Sequence, residues 1–165
     1  MKSFATTLLA LASTAYAGDL HLQKNYFFST YALNMDDAMV VCKTWGGKLA
    51  KVDNVEQQNL INASVDDVPY YIGLNDVAKE GEWRWSTGKS RDGPLATFTN
   101  WAPGEPNNYN TADGKENCAV LNVSGTLGGN NYSGKWNDVP CDYKQRFICQ
   151  QSSARCISSG NCKAD

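Results

Sequence analysis

Six cysteines against a single histidine limit what this chain can fold into. Cys42, Cys118, Cys141, Cys149, Cys156 and Cys162 contain no CxxC spacing, which disfavours zinc ribbons and thioredoxin-like redox chemistry. What the thiols do then depends on the compartment, and the start of the chain speaks to that. Lys2, the apolar run from Phe4 to Ala12 and the small-x-small triplet Ala15-Tyr16-Ala17 are the three parts of a secretory signal peptide over residues 1–17. The run is too short for a membrane anchor, which needs about 20 apolar residues. No later stretch is long or apolar enough for insertion either, so the expected product is secreted and extracellular. In that oxidising space an even set of thiols is read as disulfides. The partner of each cysteine stays open at this level.

The single histidine, His21, nearly excludes histidine-based triads and two-histidine zinc sites. A formal net charge of -2 provides no basic footprint for nucleic acid. With 42% hydrophobic and 19% charged residues the composition is globular, and 165 residues suit one domain. Three N-x-S/T triplets, at Asn62, Asn122 and Asn131, are N-glycosylation candidates that fit the same compartment.

Local patterns organise the rest. Residues 24–31 (KNYFFSTY) are aromatic-rich and strand-like. Asn34 can cap a helix in which Met35, Ala38, Met39, Cys42 and Trp45 recur at helical spacing before Gly46-Gly47 ends it. Asp53 and Glu56 form a capping-box pattern for a second helix running to about Ala63, with Val52, Leu60 and Ala63 as its apolar stripe. Tyr70 to Leu74 reads as a buried strand. Asn75 to Asn117 then holds five glycines, three prolines and many Asn, Asp and Thr residues. So long a loop in a compact domain is usually functional, and its tryptophans argue for order. Short strands follow at Cys118–Val123, Lys135–Asn137 and Gln145–Gln150, and the final residues form a tail with two cysteines.

In order along the chain, these residues resemble the C-type lectin-like domain. The segments are Cys42 with Gly46-Gly47-x-Leu49-Ala50-x-Val52, Tyr71-Ile72-Gly73-Leu74, Trp83-x-Trp85, Phe98-x-Asn100-Trp101, Glu105-Pro106-Asn107, Glu116-Asn117-Cys118, Trp136-Asn137-Asp138, Cys141 and Phe147-Ile148-Cys149. Each is weak alone, and the ordered set is specific. The resemblance implies an α+β fold, two helices flanking small antiparallel sheets with a long calcium-binding loop region, over residues 18–150, with 151–165 as a Cys-containing tail. It also implies bridges Cys42–Cys149 and Cys118–Cys141 in a short-form domain. Cys156 and Cys162 remain to pair with each other as a tail staple, or to link chains into a homo-oligomer.

Glu105, Asn107, Glu116, Asn137 and Asp138 are hard oxygen donors, which suits Ca2+ with its six to eight oxygen ligands. The resemblance makes these five the primary Ca2+ and sugar site, with the backbone oxygen of Asp138 as a further ligand and a cis bond before Pro106. A vicinal diol fits the remaining coordination, because a sugar hydroxyl can also donate to a carboxylate and accept from an amide. The Glu-Pro-Asn order resembles lectins for mannose, N-acetylglucosamine or fucose. Asp76, Glu80, Asn108 and Asn117 match an auxiliary Ca2+ site in which two amides replace acids. Tyr109 is a candidate for stacking on a sugar ring, while Trp83, Trp85, Trp101 and Trp136 read as core. The expected function is a non-enzymatic, calcium-dependent lectin for mannose-type glycans on glycoproteins or on cell and microbial surfaces. The alternatives are a protein-binding module of the same fold without sugar and a glycosidase that uses Glu105 and Glu116.

Overall fold

A computed structural model describes residues 25–110, 112, 114–121 and 133–151 together with their side chains. It describes the backbone alone of 20–23, 126–127, 130–131, 155–156 and 162–163. Residues 1–17, read as a signal peptide from sequence, and Asn122 lie outside the described residues, as do the side chains of His21, Asn131, Cys156 and Cys162.

The chain runs β1 (Leu20–Gln23), β2 (Tyr26–Ser29), α1 (Met35–Thr44), β3 (Gly47–Leu49), α2 (Val55–Asn62), β4 (Tyr70–Asn75), β5 (Arg84–Trp85), β6 (Cys118–Leu121), β7 (Thr126–Leu127), β8 (Asn130–Asn131), β9 (Trp136–Val139), β10 (Arg146–Gln151), β11 (Arg155–Cys156) and β12 (Cys162–Lys163). One eight-stranded sheet has the order β1-β2-β10-β4-β6-β9, with β3 beside β10 and β5 beside β4. The expected antiparallel pairing holds for every strand pair described but one. The β4–β10 pair is parallel, aligning Tyr70 with Arg146 and Tyr71 with Phe147, so the sheet is mixed. The chain reaches this pairing through a long excursion, as a parallel connection requires.

The sheet is buried on both faces because its strands alternate between two cores. Ile72, Leu74, Leu121, Ile148 and Trp136 meet α2 residue Ile61 on one side. Tyr71, Val120 and Phe147 meet α1 residues Met35, Ala38 and Cys42 on the other. The Cys42–Cys149 bridge ties α1 to β10 with the Cα atoms 5.2 Å apart, and Cys118–Cys141 ties β6 to the segment after β9 at 5.1 Å. In the tail, β11 and β12 pair so that Cys156 stands opposite Cys162 along the backbone.

Both helices begin on asparagine caps. Asn34 Oδ1 accepts the Asp37 N–H at 2.8 Å, as expected. The second cap differs from expectation. Asn54, not Asp53, accepts the Gln57 N–H at 2.9 Å, and Gln57 Oε1, not Glu56, reaches back to the Asp53 N–H at 2.6 Å. Asn54 is extended, with φ -157°, and the helix starts one residue later than the Asp53 pattern implies. Of the expected stripe, Val52 and Leu60 do pack in the core. Gln58 and Ile61 face inward and Ala63 is exposed. Among the described residues no helix is long and apolar enough to cross a membrane.

Candidate functional site

The long loop is ordered by a herringbone of indoles. Trp83 packs on Trp101 with ring centroids 4.6 Å apart, Trp101 on Trp136 at 5.7 Å and Trp85 on Trp136 at 6.1 Å, all edge-to-face. Trp83, Trp85 and Trp136 are buried and Trp101 is half-buried, so these rings form core. Trp136 also anchors the loop through its backbone. Its N–H donates to Asn100 O at 2.9 Å and its carbonyl accepts the Ala102 N–H at 2.8 Å, which lays residues 100–102 along the free edge of β9.

From that anchored edge the chain turns at once. The Glu105 N–H donates to Ala102 O at 3.0 Å, with Pro103 and then Gly104 at φ +94° between them, the residue types a type II turn demands. The Glu105–Pro106 bond is cis. Beyond it the Asn107 and Asn108 N–H groups donate to the two carboxylate oxygens of Asp138, at 3.1 and 2.7 Å. The Tyr109 N–H is shared between Asn107 Oδ1 at 2.8 Å and Glu116 Oε2 at 2.9 Å. Glu105, Asn107, Glu116 and Asp138 are thus gathered around one turn. Asn137 lies beside them on β9, and its Nδ2 donates to Asp138 O at 2.8 Å. That carbonyl keeps its second lone pair.

Asp76 and Asn117 meet at a neighbouring point, where the Asp76 N–H donates to Asn117 O at 3.1 Å. The Asp76 carboxylate takes the Gly81 N–H at 2.8 Å and lies close enough to Glu80 and Asp138 to feel both charges. Asn108, bonded through its N–H to Asp138, has a left-handed conformation, φ +46°. Tyr109 stands on the rim, 69% exposed. Asn62 is exposed at the end of α2, with its Oδ1 accepting from Gln58 Nε2 at 2.6 Å.

Electrostatics single out the same residues. Burial, followed by the Asp138 and Glu116 carboxylates, pushes Glu105 up to about 7. Burial raises Glu116 as well, with a further push from Asp138. Asp76 is raised to about 6 by burial, with Glu80 and Asp138 adding to it. Four oxygens here, Glu105 Oε2, Asp76 Oδ1, Asn108 Oδ1 and Asn117 Oδ1, are buried without a hydrogen-bond donor. Each such oxygen costs about 1–3 kcal/mol unless something electropositive meets it. A hard cation fits this donor set. Among the described residues no three His, Cys, Asp or Glu side chains form a metal cluster alone, so amide oxygens must complete any shell.

The family of the Lectin C-type domain matches residues 31–151. The chain belongs to the C-type lectin family. It is 31% identical to Lectin BRA-3 of Megabalanus rosa over 82% of this chain and 75% of that one. It is 33% identical to the human C-type lectin domain family 17, member A, over 78% of this chain but 29% of that relative's length. The carbohydrate-recognition domain of the human scavenger receptor C-type lectin superposes with a TM-score of 0.65 at 29% identity, covering 81% of this chain and 95% of that one. C-type lectins are binding domains, typically calcium-dependent, yet the fold is shared more widely. A calcium-independent type II antifreeze protein has a TM-score of 0.59 at 24% identity, covering 79% and 89% of the two chains.

Sequence reasoning passed over one residue. Gln58 is buried, and it bonds both the Trp136 indole and the Gly134 carbonyl. Its only sequence signal is its place three residues before Ile61, on the same face of a helix.

Proposed function

We propose that this chain is a secreted, calcium-dependent lectin for mannose-type sugars. One observation carries the reading: Glu105, Glu116 and Asp138 converge on a turn whose N–H groups Asp138 already holds, leaving Glu105 Oε2 buried with no donor. Glu105, Asn107, Glu116, Asn137 and Asp138 would hold the ion. Bound there, calcium supplies a positive centre to which two adjacent sugar hydroxyls can each give a lone pair. The carboxylates then accept the hydroxyl hydrogens and the amides donate to the remaining lone pairs, which is how a site of mixed acids and amides recognises a diol. The Glu-Pro-Asn order favours mannose, N-acetylglucosamine and fucose over galactose. Asp76, Glu80, Asn108 and Asn117 would hold a second ion, and Tyr109 would pack on the ring. The leader over residues 1–17 supports secretion.

The purified domain should bind immobilised mannose in calcium, elute in a chelator and be displaced by free mannose but not by galactose. Retention through chelation would refute the coordination reading. The second reading is a protein-binding module of the same fold that needs no sugar. A domain that ignores every glycan yet binds a protein surface in a chelator would decide for it.

A further inference from the structure

Gln58 sits 3% exposed on the inner face of α2, and its partners fix its orientation. An indole N–H can only donate, so Gln58 must turn Oε1 to Trp136 Nε1, 2.7 Å away. The amide nitrogen then points the other way, to Asn62 Oδ1 at 2.6 Å and to the Gly134 carbonyl at 3.0 Å. Asn100 Nδ2 donates to that same carbonyl at 2.9 Å. Gln58 therefore grips two points on either side of Lys135. They lie where β9 enters the sheet and where residues 100–102 are laid against it. The strand beyond carries Asn137 and Asp138, and the segment beyond Ala102 carries Glu105 and Asn107.

We propose that Gln58 is a positioning residue for the ion site: from α2 it holds the Trp136 indole and the Gly134 carbonyl so that the two ligand-bearing segments stay in register. The inference rests on the calcium reading above for its effect on metal affinity. Gln58 bonds the backbone and an indole, and its action on the site passes through them. Its removal would leave the Trp136 N–H without its Gln58 acceptor and take one of its donors from Gly134 O. Either is relieved by a small movement of β9, and such a movement loosens the Asn107 and Asn108 bonds to Asp138. Groups that orient metal ligands from behind typically change affinity by about 10–100-fold when mutated.

Gln58→Met keeps the length and volume of the side chain and removes both polar ends. Ile61→Val, on the same helix face, perturbs the core without touching either grip. With protein made free of glycans, calorimetric titration should show calcium affinity falling about tenfold in Gln58→Met and changing less than about twofold in Ile61→Val. In the metal-free protein, amide exchange at Asn107 and Asn108 should be faster in Gln58→Met and unaltered in Ile61→Val. Asn62→Ala, at the exposed end of the network, should shift both readouts the same way by less, and it decides the matter if Gln58→Met does not fold. Wild-type affinity or wild-type exchange in folded Gln58→Met, or equal losses in Ile61→Val, would overturn the proposal. If the wild type takes up no calcium, the calcium reading fails by itself, and the exchange comparison still decides whether Gln58 holds the Asp138 contacts.

Discussion

Glu105 concentrates the chemistry of the site in one carboxylate. Its ordinary value of 4.5 is pushed up to about 7 in the metal-free fold, and that of Asp76 from 3.8 to about 6. A folded value above the unfolded one means the folded state binds more protons. The stabilisation is present below the ordinary carboxylate range and is lost as pH rises through about 6 to 7. Calcium competes with those protons. The metal-free domain should therefore melt at a lower temperature at pH 8 than at pH 5, and the rise produced by calcium should grow over the same interval. A calcium-induced rise of equal size at every pH would count against these carboxylates as ligands. Selectivity belongs to the same scale. Exchanging acid and amide in Glu105→Gln with Asn107→Asp moves a donor to the place of an acceptor, so mannose should weaken and galactose gain in a competition assay. Unchanged binding of both sugars would contradict direct coordination.

Elements fix these residues by close approach of backbone to backbone. Gly47, in β3, faces β10 so tightly that a Cβ there would meet the Gln150 carbonyl oxygen at 2.3 Å. Neither partner is a flexible side chain, so one strand must move. Gly47→Ala should destabilise the domain by about 1–3 kcal/mol in a urea titration, as overpacking does. Much at this scale was legible in advance. Asn34, the Met35-Ala38-Cys42 stripe and the Gly46-Gly47 stop specify α1 from local spacing, and the helix forms over Met35–Thr44. The second helix was legible only in outline. Asp53 and Asn54 are both good caps one residue apart, so local sequence alone does not choose the start of the helix. What favours the Asn54 frame is the Ile61 packing and the partners of Gln58, which lie 76 and 78 residues away in sequence.

At the scale of the fold, two covalent ties among the described residues hold the sheet and loops together. Cys42–Cys149 closes a separation of 107 residues and Cys118–Cys141 one of 23. By loop-closure entropy the first should contribute roughly 4–5 kcal/mol and the second roughly 3 kcal/mol. Removing the pairs by double alanine substitution and comparing denaturant midpoints should rank them in that order. The reverse order would show that native-state effects outweigh chain entropy. The long bridge joins α1 to the strand at the middle of the sheet, whereas the short one braces β6 behind Glu116 and Asn117.

By itself the sequence determined the residue types of the site, the order of its motifs and the first helix, because these depend on neighbours a few positions apart. It also supplied the even set of cysteines. The tertiary structure decided the parallel β4–β10 pair, the frame of α2, and which oxygens near Glu105 and Asp76 lie buried without a donor. Each of these depends on what a distant segment places opposite a group. Local periodicity carries no information about that, since burial and hydrogen-bond satisfaction are properties of the closed fold.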